Sequence, residues 1–184
     1  MEVFANRRIT LRTGRLVLRP LMGADLDALH RVSNDSLVRR YLWDDVPVPR
    51  TTIEDIIVQS ERGFARRGLG LFGIRLRGEE ELLGFCGFLP LEGTGEIELA
   101  YELAPQRWGR GLATEAAREC LRYAFEEVGL GRVVAGADPP NVASLRVIER
   151  LGMKPIGEIA PDQPGIPYFA ISRDDFLDRV GERE

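Results

Sequence analysis

The chain of 184 residues contains one histidine, His30, one lysine, Lys154, and two cysteines, Cys86 and Cys120. One histidine cannot build a His-based zinc cluster, and a Ser-His-Asp triad would have to use that single residue. His30 lies in the helical pattern DLDALHRV, where a solvated or half-buried structural role is expected. The cysteines have no CxxC spacing and each sits in an apolar stretch, so buried free thiols are expected. Nothing in the sequence around Cys86 would lower its pKa, which excludes it as a nucleophile. No apolar run approaches the ~18 residues of a membrane span. The start, MEVFANRRITLR, lacks the hydrophobic core of a signal peptide. A soluble, cytoplasmic protein with no membrane partner is expected. The net charge of −4 argues against a nucleic-acid partner.

What is present suits a globular domain. Hydrophobic residues make up 44% and charged residues 29%, and a chain this long buries about 70% of its unfolded surface without metal or disulfide. A single domain over 1–184 is expected, with residues 1–12 as a loosely held arm. Arg15 to Arg19 alternates as a first strand ending at Pro20, and a helix begins at Asp25 with Leu26, Leu29 and Val32 on one stripe. A short helix and loop follow between Asp35 and Arg50. Thr51-Thr52-Ile53-Glu54 resembles a capped start for a helix running to about Arg67. Leu69–Leu76, Leu82–Leu89 and Glu96–Leu103 are separated by turn chemistry and predict an antiparallel meander. Ala113, Ala116, Ala117, Cys120, Leu121, Ala124 and Val128 then recur at helical spacing, predicting a buried amphipathic helix from Gly111 to Val128. Arg132–Ala137 reads as a strand, and a short helix closes at Gly152. Strands over Ile156–Ile159 and Tyr168–Ser172 precede a helical tail from Asp174. Strands and helices do not alternate strictly, so the class is a mixed α/β sheet.

The chemistry concentrates in Gln106-Arg107-Trp108-Gly109-Arg110-Gly111-Leu112-Ala113, between a strand and the long helix. Two glycines allow a tight turn and close backbone approach to a ligand. The unpaired amides of a helix start attract an anion, and Arg107 and Arg110 add positive charge. A phosphate or pyrophosphate is the natural guest. The segment lacks the GK[ST] of a Walker loop. It is also a poor dinucleotide fingerprint, with Thr114 at the third glycine position. It matches the coenzyme A pyrophosphate pattern [Q/R]xxGx[G/A] from Gln106 to Gly111.

Four blocks, Gly14–Pro20, Glu98–Pro105, Gln106–Ala116 and Asn141–Met153, resemble the GNAT superfamily of acyl-CoA-dependent N-acyltransferases, in the branch typified by RimJ and RimL. The resemblance implies an α/β (α+β) fold with a mixed, mostly antiparallel central sheet, flanked by helices, whose fourth and fifth strands splay apart. It implies acetyl-CoA as co-substrate in that cleft, no metal, and an amine acceptor that is either a peptide N-terminus or a small molecule. It also leaves room for a homodimer. Backbone groups near Tyr101 and Leu103 would meet the pantetheine arm. Arg107, Trp108, Gly109, Arg110, Gly111, Leu112 and Ala113 would wrap the pyrophosphate, and Asn141 and Ser144 would line the far wall. The family pattern often has glycine at Ala100 and an aromatic at Glu102, and Glu102 bears on the acyl or acceptor neighbourhood.

Acetyl transfer requires a deprotonated amine, a stabilised carbonyl oxygen and a proton for the leaving thiolate. Glu98 is the candidate base, set against the reading that Glu96, Glu98 and Glu102 form one solvent-facing stripe because they share strand parity. Ser144 is the candidate acid, set against Asn141 as an ordinary helix cap with Ser144 in its first turn. Tyr168, with a phenol pKa of about 10, is the alternative acid. Tyr41 and Trp43 are candidates to line the acceptor site, or to pack in the core. The competing class of function is a non-catalytic acyl-CoA-binding or regulatory module.

Overall fold

The computed structural model describes residues 9–181. Eight strands form one sheet in the order β1-β2-β3-β4-β5-β6-β8-β7. They are β1 (Leu11–Arg12), β2 (Leu16–Pro20), β3 (Leu71–Leu76), β4 (Gly84–Pro90), β5 (Ile97–Leu103), β6 (Arg132–Gly136), β7 (Lys154–Gly157) and β8 (Tyr168–Ser172). Six helices flank it: α1 (Leu26–Ser33), α2 (Ser36–Leu42), α3 (Arg50–Arg67), α4 (Leu112–Arg122), α5 (Val142–Leu151) and α6 (Arg173–Gly181). Every strand pair is antiparallel except β5 with β6. This is the expected mixed, mostly antiparallel sheet. Because Leu11–Arg12 adds a strand at the start, the pair expected as fourth and fifth is β5 and β6. No described helix is long and apolar enough to cross a membrane.

The period-2 pattern of the meander sorts its side chains onto two faces. On one face Phe72, Cys86, Phe88, Leu99 and Leu103 pack against Ala116, Cys120 and Leu121 of α4 and Val147, Ile148 and Leu151 of α5. On the other, Leu71, Phe85 and Ala100 meet Leu26 and Leu29 of α1 and Ile53 and Ile57 of α3. Both cysteines are free and buried, with Cys120 Sγ 3.7 Å from the Cys86 carbonyl oxygen. The His30 ring nitrogen Nε2 lies 2.9 Å from the Val48 carbonyl oxygen, which fits its expected structural role.

Four local expectations are corrected. Leu11 and Arg12, placed in the loose arm, pair with Leu18 and Val17; residues 1–8 lie outside the described residues. Helix α3 starts at Arg50 behind Pro49, whose φ of −59° suits the position, and no side chain caps it; Thr51 and Thr52 fall inside the first turn. Strand β7 comes earlier than Ile156–Ile159, because Gly157 turns to φ 87° and ends it. The long helix is α-helical only to Arg122. It continues as a π-helical turn over Tyr123–Val128, carrying three consecutive buried side chains (Tyr123, Ala124, Phe125) and closing at Gly129.

Candidate active site

The site begins with a break in the sheet. β5 pairs with β4 along its full length, from Pro90↔Ile97 to Gly84↔Leu103, yet it meets β6 at one register pair, Glu98↔Val134. The bonds of Ala104 N–H to Leu83 O (2.7 Å) and Leu91 N–H to Glu96 O (2.9 Å) fix the alternation. Even-numbered residues of β5 spend their backbone groups on β4, and Leu99, Tyr101 and Leu103 turn theirs towards β6. Past Glu98 the two strands part, so the backbone of Tyr101 and Leu103 faces a cleft. The Leu103 carbonyl is not free there: the Trp108 indole N–H donates to it at 2.7 Å.

The glycine loop follows directly. Pro105–Arg107 forms a tight 3-10 turn, in which Arg107 N–H donates to Ala104 O (2.9 Å) and Trp108 N–H to Pro105 O (3.1 Å). These two amides, expected in the anion cradle, are therefore turned inward. The Arg107 guanidinium is also engaged elsewhere, pairing with Glu81 (3.1 Å) and Glu79 (3.5 Å) on the β3–β4 turn. The cradle narrows to the residues beyond. Gly109 and Gly111 adopt φ of 72° and 75°, the left-handed conformation that a residue with a Cβ adopts only under strain. Gly111 is the N-cap of α4 and brings no capping side chain. The first helical bond is Glu115 N–H to Gly111 O (3.0 Å). The amides of Leu112, Ala113 and Thr114 thus precede the helix's own ladder and face outward with the positive end of its dipole.

Across the cleft, Asn141 caps α5, its Oδ1 accepting the Ser144 N–H at 3.1 Å. Ser144 Oγ lies 2.7 Å from the Tyr101 hydroxyl, which also donates to the Ser144 carbonyl at 3.2 Å. Strand β5 and helix α5 are therefore joined across the cleft by a phenol–hydroxyl contact. Burial drives the Tyr101 pKa well above that of a free phenol, against the opposing bond from Ser144.

Glu98 and Tyr168 occupy the opposite face of the sheet from Tyr101 and Ser144. Val134, register partner of Glu98, packs with Tyr168, which pairs in turn with Gly136. Glu98 Oε1 accepts the Gly136 N–H at 3.3 Å. Burial raises the Glu98 pKa; the Gly136 bond opposes this and the charge of Asp162 adds to it. Tyr168 is fully buried and its hydroxyl donates to Gln163 Oε1 at 2.9 Å. Burial, then the charges of Glu98 and Asp162, lift its pKa above the usual phenol value. The structure thus brings the candidates together as two pairs rather than one cluster.

Glu102 does not belong to a solvent-facing stripe. It is 2% exposed and accepts bonds from Ser33 Oγ (2.8 Å) and Trp43 Nε1 (3.2 Å). Burial pushes its pKa up to about 7, with the Ser33 and Trp43 bonds opposing the rise. Strand parity predicted a shared face, but which helices cover that face is a tertiary fact. Arg15 was also missed as a site residue. Its guanidinium holds Glu115 (Nε–Oε2 2.7 Å) and donates to the Arg110 carbonyl (2.9 Å), bracing the loop from β2. The Gly14–Pro20 block contained it, and its charge was the available signal.

A sheet that opens between its parallel strands, beside a glycine loop at a helix start, is a frame that suits an acyltransferase. The chain matches the acetyltransferase (GNAT) domain over residues 15–154 and belongs to that family. It is 32% identical over 153 residues to p20 of Bacillus licheniformis, an N-acetyltransferase described as uncharacterized, covering 80% of this chain and 84% of that protein. The acetyltransferase of Agrobacterium tumefaciens str. C58 superposes with a TM-score of 0.79 at 28% identity, covering 93% of this chain and 98% of the other. RimL, a ribosomal L7/L12 alpha-N-protein acetyltransferase solved with coenzyme A, shares the fold with a TM-score of 0.71 at 18% identity, covering 91% and 99%.

Proposed function

We propose that the protein moves an acetyl group from acetyl-CoA to a primary amine, a protein N-terminus or a small molecule, by direct transfer in a ternary complex in the cytoplasm. The observation that carries this reading is the parting of β5 from β6 after one register pair, with the outward amides of the Gly109–Thr114 segment at its end. The loop amides hold the diphosphate, and the Tyr101 backbone together with the Leu103 N–H holds the pantetheine arm, the Leu103 carbonyl being taken by Trp108. Binding both substrates side by side supplies about 7–11 kcal/mol of barrier lowering without any covalent enzyme intermediate.

The two-sided arrangement suggests a division of labour. The amine approaches from the face of Glu98, whose raised pKa makes its carboxylate a stronger base than an exposed one. The thiolate leaves towards the Ser144 hydroxyl, which donates a hydrogen bond to the departing sulfur and is held in place by the Tyr101 hydroxyl 2.7 Å away, and the thiol takes its proton from solvent. Tyr168 stands on the side of the base and is bound to Gln163, so it serves the acid role less well. Likeness in fold to RimL supports the RimJ/RimL-like branch, and with it a peptide N-terminus as acceptor.

The test is thiol release from acetyl-CoA over a panel of amines and peptide N-termini. Turnover with any member supports the enzyme. Tight acetyl-CoA binding without turnover across the panel assigns the chain to a non-catalytic acyl-CoA-binding module instead.

A further inference from the structure

The two oxygens of Glu102 are spent on donors from two different elements. Ser33 Oγ, at the end of α1, donates at 2.8 Å, and Nε1 of Trp43, the C-cap of α2, donates at 3.2 Å. Burying a carboxylate is unfavourable, and a leucine would fill the same place without that cost. What the carboxylate adds is a hold on the indole. Trp43 stands at the irregular end of α2 (φ −136°, ψ 26°), and the chain leaves it through Asp44 and Asp45, both left-handed (φ 50° and 58°). Backbone bonds there leave the side chain free to turn. An indole has one donor, its N–H, and Glu102 takes it.

The face of β5 that carries Glu102 also carries Ala100 and Glu98, by alternation. Ala100 lies about 7 Å along the strand from each of them, and the two carboxylates are roughly 13 Å apart. On one side of Glu98 this face is closed: Val134 and Tyr168 are fully buried, and Leu91 and Ala160 nearly so. On the other side it is half-open. Ala100, Leu89 (the register partner of Glu98), Ile56 and Trp43 are half-buried apolar side chains bordering one cluster. An amine whose nitrogen sits at Glu98 therefore has one open direction for its substituent, over Ala100 towards the indole.

We propose that Trp43 is the wall against which the acceptor lays an apolar or aromatic group, and that Glu102 is the positioning residue that holds this wall. The site then selects amines that carry such a group a few bonds from the reacting nitrogen. The inference rests on the reading of Glu98 as the base and adds a preference to it. Glu102 does not itself meet the acceptor, because it is buried and both oxygens are engaged. An alkyl or aryl group over Ala100 leaves water and gains the indole, whereas a second charged group there would lose water and find no free partner.

The test is steady-state thiol release at saturating acetyl-CoA with two pairs of probes. One pair is phenethylamine and ethylamine; the other is a tripeptide amide beginning with phenylalanine and one beginning with glycine. The aromatic member of a pair is expected to show a kcat/KM at least tenfold higher, through its KM. Trp43→Phe keeps a ring and removes the N–H; Glu102→Leu removes the acceptor of that N–H. Each should cut the preference at least threefold by raising the aromatic probe's KM, with kcat and the acetyl-CoA Kd within twofold of the wild type. Glu102→Gln still accepts the indole N–H and should restore the preference. A residue that only supported the fold would move all probes alike, in step with thermal stability. Should Glu102→Leu fail to fold, Trp43→Phe, at a half-buried position, decides alone. Equal kcat/KM within both pairs overturns the apolar wall and leaves the acetyl-transfer reading standing, as does a preference untouched by Trp43→Phe. No thiol release from any probe or any member of the wider panel, with acetyl-CoA bound, overturns that reading and this inference together.

Discussion

Glu98 stands where the last rung between β5 and β6 gives way to the cleft, and its environment sets its chemistry. Burial favours the protonated acid, so the carboxylate that remains is more basic than an exposed one. Activity should rise with pH through an apparent pKa above the ordinary carboxylate range. Glu98→Gln should lower kcat by about 10²–10⁴-fold and abolish that limb of the profile, as steady-state kinetics across pH will show. On the other face, Ser144→Ala and Tyr101→Phe break the same 2.7 Å contact. Each should lower kcat more than acetyl-CoA affinity, and the double variant should be little worse than either single one, because groups that act in series do not add. Equal losses of turnover and affinity would make Ser144 a binding residue.

Glu102 gives a residue-scale prediction about stability. Its folded pKa of about 7 lies above the ordinary 4.5, so between those values the folded state retains a proton that the unfolded state has released. The contribution of Glu102 to stability is therefore greatest below about pH 4.5 and declines as pH rises through about 7, by roughly 3 kcal/mol. Glu102→Gln keeps an acceptor for Trp43 and offers Ser33 an amide donor. Urea unfolding should show the variant gaining on the wild type between pH 5 and pH 8, while parallel curves would remove the assignment.

Among elements, the loop and α4 depend on two left-handed glycines. A Cβ at Gly109 meets nothing within 4 Å, and at Gly111 only the Arg15 guanidinium at 3.7 Å, so space is not the obstacle. Conformation is. Gly111→Val should cost stability about 1–3 kcal/mol through its φ, and it should weaken acetyl-CoA binding by a larger factor, because the Leu112–Thr114 amides would be re-aimed. Unchanged affinity in calorimetry would remove the loop assignment.

The element scale also shows what the sequence makes legible. The meander, α4 and the Gly152 stop follow from period and turn chemistry, which are local. The motif located the glycine loop for the same reason. Arg107 and Trp108 were harder to read, since a 3-10 turn behind Pro105 consumed their amides and Glu81 drew the guanidinium away. Glu102 was legible as a departure from pattern, whereas its burial depends on Ser33 and Trp43, some 60–70 residues distant in sequence. Contacts of that range carry no periodic signal in a single chain.

At the scale of the whole molecule, the sheet is two unequal sets of strands. β1 to β5 are stitched by successive antiparallel ladders, and β6, β8 and β7 form a second set; one register pair connects them. The Tyr101–Ser144 contact and the packing of α4 and α5 on a shared core supply the rest of the joint. A ligand lying between the sets would hydrogen-bond to one and press on the other. Saturating acetyl-CoA, at 100 times its Kd, should stabilise the fold by about 2.7 kcal/mol. Amide exchange should slow most at Tyr101, Leu103 and along β6, while uniform slowing across all strands would count against the joint.

The lone rung at Glu98 has a wider corollary. A protein whose two leaves are fastened so sparingly in the empty state is guarded against proteases in proportion to how often its cleft is filled. Its lifetime, and so its abundance, would then follow the supply of activated acetyl groups: scarcity would thin out the catalyst as well as slow it.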